Sequence, residues 1–123
     1  MAIVHCILAV DRAISGTSTE YSDPALNAVL SHGEKRMVEM RIMQAGGTSS
    51  PTITVKLERS NDNLNWDTTA QATFFSGVTL ANGTSFAQDT GANVGGCFAR
   101  ISVVMTGTNP TAYVQITVTS REE

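Results

Sequence analysis

The chain has 123 residues, of which 41% are hydrophobic and 15% charged, with a formal net charge of -3. An average soluble protein carries about 25% charged residues; here eight scattered basic residues exclude the basic patch that nucleic-acid binding requires. Area scaling leaves about two-thirds of the unfolded surface buried for a chain of this size, so a single domain over residues 1–123 can build a core without metal or disulfide staples.

The first apolar run, AIVHCILAV at 2–10, stops at Asp11. It is too short to span a bilayer and lacks a basic flank or a small-residue cleavage pattern, so it reads as a strand, with no membrane partner and no export signal. His5 alternates with apolar neighbours and reads as a core or interface residue. Neither it nor His32 has cysteines or carboxylates at ligand spacing. Cys6 and Cys97 lie far apart in apolar surroundings and read as free buried thiols. Residues 11–33 are of mixed polarity. Within them DPALNAVLSHG (23–33) reads equally as a short helix, with Asp23 as N-cap, Pro24 first and Gly33 as stop, or as a strand. The whole of 1–33 is a candidate N-terminal arm or interface segment.

The run RMVEMRIMQ (36–44) alternates, with Val38, Met40 and Ile42 on one face and Glu39 and Arg41 on the other. Met37 and Met43 make the strand apolar on both faces. Such a strand is either central in a sandwich or buried in an interface. Met37 and Met43 therefore join His5 as candidate interface residues. ITVKLER (52–59 region) places Ile53, Val55 and Leu57 inward, TTAQATFF places Ala70, Ala72 and Phe74 inward, ARISVVM places Ala99, Ile101, Val103 and Met105 inward, and AYVQITVTS places Ala112, Val114, Ile116 and Val118 inward. Turn signals separate these runs at 45–51, 60–65, 80–85, 89–96 and 106–111. Asn82-Gly83 predicts a tight hairpin with positive φ at both centres, and Pro110 a turn that feeds the last strand. The expected fold is all-β: an antiparallel, jelly-roll-like sandwich of about seven to nine strands.

The stretch SNDNLNWDTT (60–69) admits three readings. A calcium loop starting at Asn61 would need a Gly at its sixth position and a Glu at its twelfth, where this chain has Trp66 and Ala72. A sugar site would use an exposed Trp66 beside Asn and Asp. In the favoured reading Asn61, Asp62 and Asn63 form a turn held by their own side chains, and Trp66 packs on the core beside Ile53, Val55 and Leu57. No catalytic grouping is recognisable: no nucleophile elbow surrounds a serine, and Gly46-Gly47 and Gly95-Gly96 do not join a strand to a helix as phosphate loops do. No cofactor and no metal are expected.

From the alternating strand through S-N-D-N-L-N-W to C-F-A-R-I-S-V-V-M-T-G-T-N-P-T-A-Y-V-Q-I-T-V, the chain resembles small accessory virion proteins of tailed bacteriophages. The shared features are an S-x-D-x-x-x-W turn and a closing hairpin of the form R-x-x-x-x-x-x-G-T-x-P. The resemblance covers residues 50 to 120. It implies a β-sandwich and a structural role, foremost as a capsid decoration (cement) protein binding the major capsid protein as a homo-oligomer, with a trimer expected, on virions assembled in the host cytoplasm. The same turn occurs in discoidin-like carbohydrate-binding sandwiches, so a glycan-binding adhesion module is the alternative, with another head-completion or tail part as a third.

Overall fold

In the computed structural model, residues 3–23, 25–26, 35–90 and 98–122 are described. They form seven strands: β1 (Ile3–Ser15), β2 (Glu20–Tyr21), β3 (Ala25–Leu26), β4 (Lys35–Ser60), β5 (Trp66–Thr79), β6 (Thr84–Thr90) and β7 (Phe98–Glu122). All pairings are antiparallel, in the order β1-β7-β4-β5, with β2 and β3 also on β7 and β6 also on β4. Of the 23–33 segment, 25–26 is strand; Pro24 and 27–33 lie outside the described residues, as do His32, Cys97 and most of the predicted turn at 89–96.

β4 and β7 run 26 and 25 residues. At about 3.3 Å per residue each would extend about 85 Å, far beyond the radius of about 14 Å expected for a domain this size. Both must bend, and they bend together. The sites are the glycine- and serine-rich runs read above as turns. On β4, Gly47, Ser49 and Ser50 take positive φ (118°, 64° and 51°), and on β7 Gly107 and Asn109 do so (115° and 49°). The ladder shifts register there but continues, from Gly46↔Thr111 through Thr48↔Thr108 to Thr52↔Thr106. The segments 98–106 and 111–122 do not pair with each other, so the expected closing hairpin at 106–111 is instead a corner inside one strand. The physical reason is that glycine, serine and asparagine permit positive φ in either setting; a neighbouring strand bending in step preserves the ladder.

The shared corner divides the sheet into two layers. One holds β1, 111–122 of β7, 35–46 of β4, and β6. The other holds β2 and β3, 98–106 of β7, 52–60 of β4, and β5. With β2 and β3 sharing one edge position on β7, four positions per layer in this order are the double-sheet jelly roll. The alternating rows meet between the layers: Val38, Met40, Ile42, Val114, Ile116 and Val118 on one side, Ile53, Val55, Leu57, Ala99, Ile101, Val103 and Met105 on the other, each no more than 1% exposed. Burial of each such aliphatic side chain contributes about 1.5–3 kcal/mol before entropy is counted. Phe74 and Phe75 are both buried, because Val55↔Phe75 is followed by Lys56↔Thr73, a bulge that inserts Phe74 as an extra residue. Phe75 meets Phe86 of the other layer with ring centroids 6.0 Å apart.

The Asn82-Gly83 turn differs from the expected hairpin. Only Gly83 has positive φ (70°), and the flanking strands pair with different halves of β4 rather than with each other. The turn carries the chain from one layer to the other and is tied down by Gly83 N donating to Ile42 O (2.8 Å) and Ala45 N donating to Asn82 Oδ1 (2.6 Å). The N-terminal run is laddered to β7 from Ile3↔Glu122 to Ser15↔Thr111, so it is an edge strand of its own sheet rather than an extended arm.

The corner sets a prediction. A Cβ on Gly107 would lie 3.0 Å from Pro51 Cα and from Thr48 O, whereas one on Gly83 meets nothing within 4 Å. Gly107→Ala should cost about 2–3 kcal/mol, against about 1 kcal/mol for Gly83→Ala. Equal losses for the two in urea melts would refute the packed corner.

Candidate functional site

The hairpin that joins β4 to β5 closes with Ser60 opposite Trp66. Its turn is built by two side chains. Asp62 Oδ1 accepts from Leu64 N (2.9 Å) and Asn65 N (2.8 Å), and Asp62 Oδ2 accepts from Asn65 Nδ2 (2.8 Å). Ser60 Oγ accepts from Asn63 N (3.0 Å) and Asp62 N (3.3 Å) and donates to Asn65 O (2.7 Å). Asn63 sits in the left-handed region at φ 61°, which asparagine tolerates. Asn61 is exposed and donates no bond that shapes the turn among the described contacts. The backbone donors of Asn65 and Leu64, then the Asn65 and Ser60 side chains, hold the Asp62 carboxyl well below its ordinary value of 3.8. Both its oxygens are thereby committed to the turn, leaving little capacity for a cation.

Beside the turn, Arg59, Ser60, Asn61, Asp62, Asn65 and Asp67 line an open recess of about 420 Å³. Arg59 Nε reaches Asp67 Oδ2 at 3.4 Å. No group of three or more histidine, cysteine, aspartate or glutamate side chains gathers at metal-binding distance among the described residues. In the recess the Ser60 hydroxyl and the Asp62 carboxylate are both engaged in the turn, and Arg59 is turned on Asp67.

Trp66 departs from the expectation that it joins the core. It is half-buried, lies outside the core cluster, and stands on the outer face of its layer. The reason is strand parity. Trp66 pairs with Ser60, and Ser60 shares a face with Glu58, opposite to that of Leu57. On this outer face Glu58 pairs directly across the ladder with Arg100. Arg100 Nε and Nη2 each approach Glu58 Oε1 at 2.9 Å. The guanidinium is layered between two rings, 3.7 Å from the Tyr21 centroid and 4.3 Å from that of Trp66. The side chains of Arg100 and Glu58 are 16% and 6% exposed, so this is a covered ion pair. It fastens β2 to the sheet, helped by Ser22 N donating to Ile101 O (3.0 Å), Ile101 N donating to Ser22 Oγ (2.9 Å) and Arg12 Nη2 donating to Tyr21 O (2.7 Å). Cation–π contact of a desolvated arginine adds about 2 kcal/mol per well-placed ring. Arg100 falls on the outward parity of the ARISVVM strand, but its opposition to Glu58 depends on a register that alternation leaves open.

The candidate interface residues fall on the other layer. Met37 and Met43 are 36% and 46% exposed, with Met40 buried between them. His5 is laddered to Ser120 on β1, and its side chain lies outside the described set. On the same outer face Tyr113 donates its hydroxyl to Asp11 Oδ1 (2.6 Å), a bond that raises the phenol above its ordinary 10.0.

No protein-family model matches the chain, and no curated protein matches its sequence. Solved structures do share its fold. The structure of infectious bursal disease virus Gx strain superposes with a TM-score of 0.62 at 12% identity, over 99% of this chain and 32% of that one. The crystal structure of the infectious bursal disease virus VP2 subviral particle gives 0.62 at 10% identity, over 99% and 33%. This chain therefore spans about a third of the length of the proteins it resembles. At such identities the likeness is one of fold, and it agrees with the two-layer order found here.

Two measurements follow from this site. Arg100→Met should cost about 3–5 kcal/mol by leaving Glu58 buried without its partner, and adding Glu58→Leu should recover a large part of that loss; an unchanged denaturation midpoint in the single variant would refute the covered pair. The Asp62 bonds form with the charged carboxylate. Because its folded pKa is depressed, their contribution is complete above the ordinary 3.8 and is lost as pH falls below it toward the folded value. Amide exchange at Leu64 and Asn65 should thus stay protected at pH 5 and lose the Asp62-dependent protection only in stronger acid, while Asp62→Ala should remove it at every pH.

Proposed function

We propose that the chain is a structural virion protein, and more narrowly a decoration protein that binds the head of a tailed bacteriophage. The observation that carries the reading is the jelly roll itself, matched over nearly the whole chain by a portion of a particle-forming viral protein. The turn and corner motifs of residues 50–120, which resemble phage accessory sandwiches, supply the narrower part. The polar groups of the candidate site are engaged in fastening strands and turns, which supports a binding role over a catalytic one and gives a cofactor no place in the mechanism.

The mechanism is mass action. A subunit that binds only the assembled, expanded shell stabilises it by RT ln(1 + [L]/Kd), about 2.7 kcal/mol at a hundredfold excess over Kd. Partners in this reading are the major capsid protein and further copies of the chain, on the capsid surface, with neither nucleic acid nor membrane involved. A weakly charged surface rich in threonine, serine and asparagine suits a contact made by many direct and water-mediated hydrogen bonds. The glycan-binding alternative loses support from Trp66, whose ring face is occupied by Arg100.

Purified protein mixed with undecorated expanded capsids should bind to saturation and raise the melting temperature of the shell by several degrees. Capsids that remain bare, with the protein instead pelleting with host polysaccharide, would overturn the reading in favour of adhesion.

A further inference from the structure

The outer face of the first half of β4 reads, at alternate positions, Met37, Glu39, Arg41 and Met43. All four are exposed, while Val38, Met40 and Ile42 between them are wholly buried. The row has a property that an arbitrary surface strand lacks: reversed about Met40, it exchanges Met for Met and Glu for Arg. Neither Glu39 nor Arg41 has a side-chain partner among the described residues. The row lies in the middle of its layer. β7 flanks it with Thr119, Thr117 and Gln115 opposite Met37, Glu39 and Arg41, and β6 flanks it with Ala87 and Ser85 opposite Glu39 and Arg41. Thr117, Gln115, Ala87 and Ser85 are uncharged and mostly short, so Glu39 and Arg41 stand above them, while Asp89 of β6 lies opposite Met37.

We propose that this face is a twofold contact between two copies of the chain, with the axis passing near Met40. A twofold interface is isologous: if residue i of one copy meets residue j of the other, j also meets i. Here Glu39 meets the partner's Arg41, Arg41 meets the partner's Glu39, and the exposed methionines cover each other at both ends. Stacked sheets sit about 10 Å apart, a gap that glutamate and arginine reaching from opposite sides can close. The ladder shifts between Ile42 and Gln44, placing Met43 at a bulge, a feature that re-aims a side chain at the end of the row. The occupant is another copy because the charges complement themselves; a foreign surface would not require the reversal symmetry. The row is about 20 Å long, so the contact belongs to the small end of specific interfaces, and the assembly is a dimer rather than the trimer expected from the resemblance. The inference does not depend on the virion reading, since the dimer is measured without capsids.

The test is sedimentation of the purified chain over a wide concentration range, with circular dichroism to confirm that each variant is folded. The wild type should dimerise. Glu39→Arg should weaken self-association at least tenfold, because it sets arginines against arginines in both halves of the contact, and Arg41→Glu should do the same with carboxylates. An equimolar mixture of the two variants should dimerise again, since each then supplies the other's missing charge, and the double variant Glu39→Arg/Arg41→Glu should self-associate like the wild type. Met43→Gln, which alters no charge, should also weaken the dimer. A wild type that stays monomeric at millimolar concentration, a trimer, single variants that associate normally, or folded single variants that neither mixing nor combination restores would each overturn the proposal.

Discussion

The two long strands bend at the same place, and the rest of the molecule follows from that. β4 and β7 are each twice as long as the layer they serve, and they remain paired on both sides of the corner. One ladder thereby supplies the two central segments of both layers. The close approach of Gly107 to Pro51 and Thr48, and of Gly47 to Pro110, locks the angle at which the layers face each other. The buried rows on the two halves of each strand then meet across the sandwich, so the core is made largely by two strands folding onto themselves. The remaining strands close its edges.

The same geometry determines what the outer faces offer. Parity along β4 shifts at the Met43 bulge, ahead of the corner, where Ile42 and Ala45 both turn toward the core, so each half presents its own external row. The second half displays Thr54, Lys56 and Glu58; Lys56 is exposed, whereas Glu58 is covered by Arg100, and Arg100 by Tyr21 and Trp66. The first half displays Met37, Glu39, Arg41 and Met43, and its two charges have no side-chain partner among the described residues. One outer face is thus a fastening that secures the N-terminal edge, and the other is the face on which the twofold contact is proposed.

The hairpin at 60–66 occupies a middle position. Its sequence is dense in polar residues, and their chemistry is turned on the turn itself. Asp62 accepts three bonds from its own loop, and Ser60 accepts two more. Such a loop is ordered before anything binds. Leu64, 82% exposed at its tip, is held out by polar scaffolding rather than by a neighbouring apolar surface.

The sequence by itself determined the class of the fold, the inward rows and the turn at 60–65, because these depend on local properties. Alternation of period two needs only neighbouring residues, and Val38, Met40, Ile42, Ile53, Val55, Leu57, Ile101, Val103, Val114, Ile116 and Val118 all face inward as their spacing implies. An Asx turn likewise closes within a few residues. What only the tertiary structure decided is long-range. Glycine and serine at 45–51, and glycine, asparagine and proline at 106–111, are equally compatible with a hairpin or with a corner, and the choice is made by whether another strand bends alongside. Asn82-Gly83 could have ended a hairpin, but β5 and β6 found different halves of β4. Trp66 could have faced either way, and its side was set by the pairing of Ser60 with it. Arg100 and Glu58 lie 42 positions apart, and only register brings them together. Local chemistry decides how each segment is shaped, and pairing between distant segments decides which of its faces is covered.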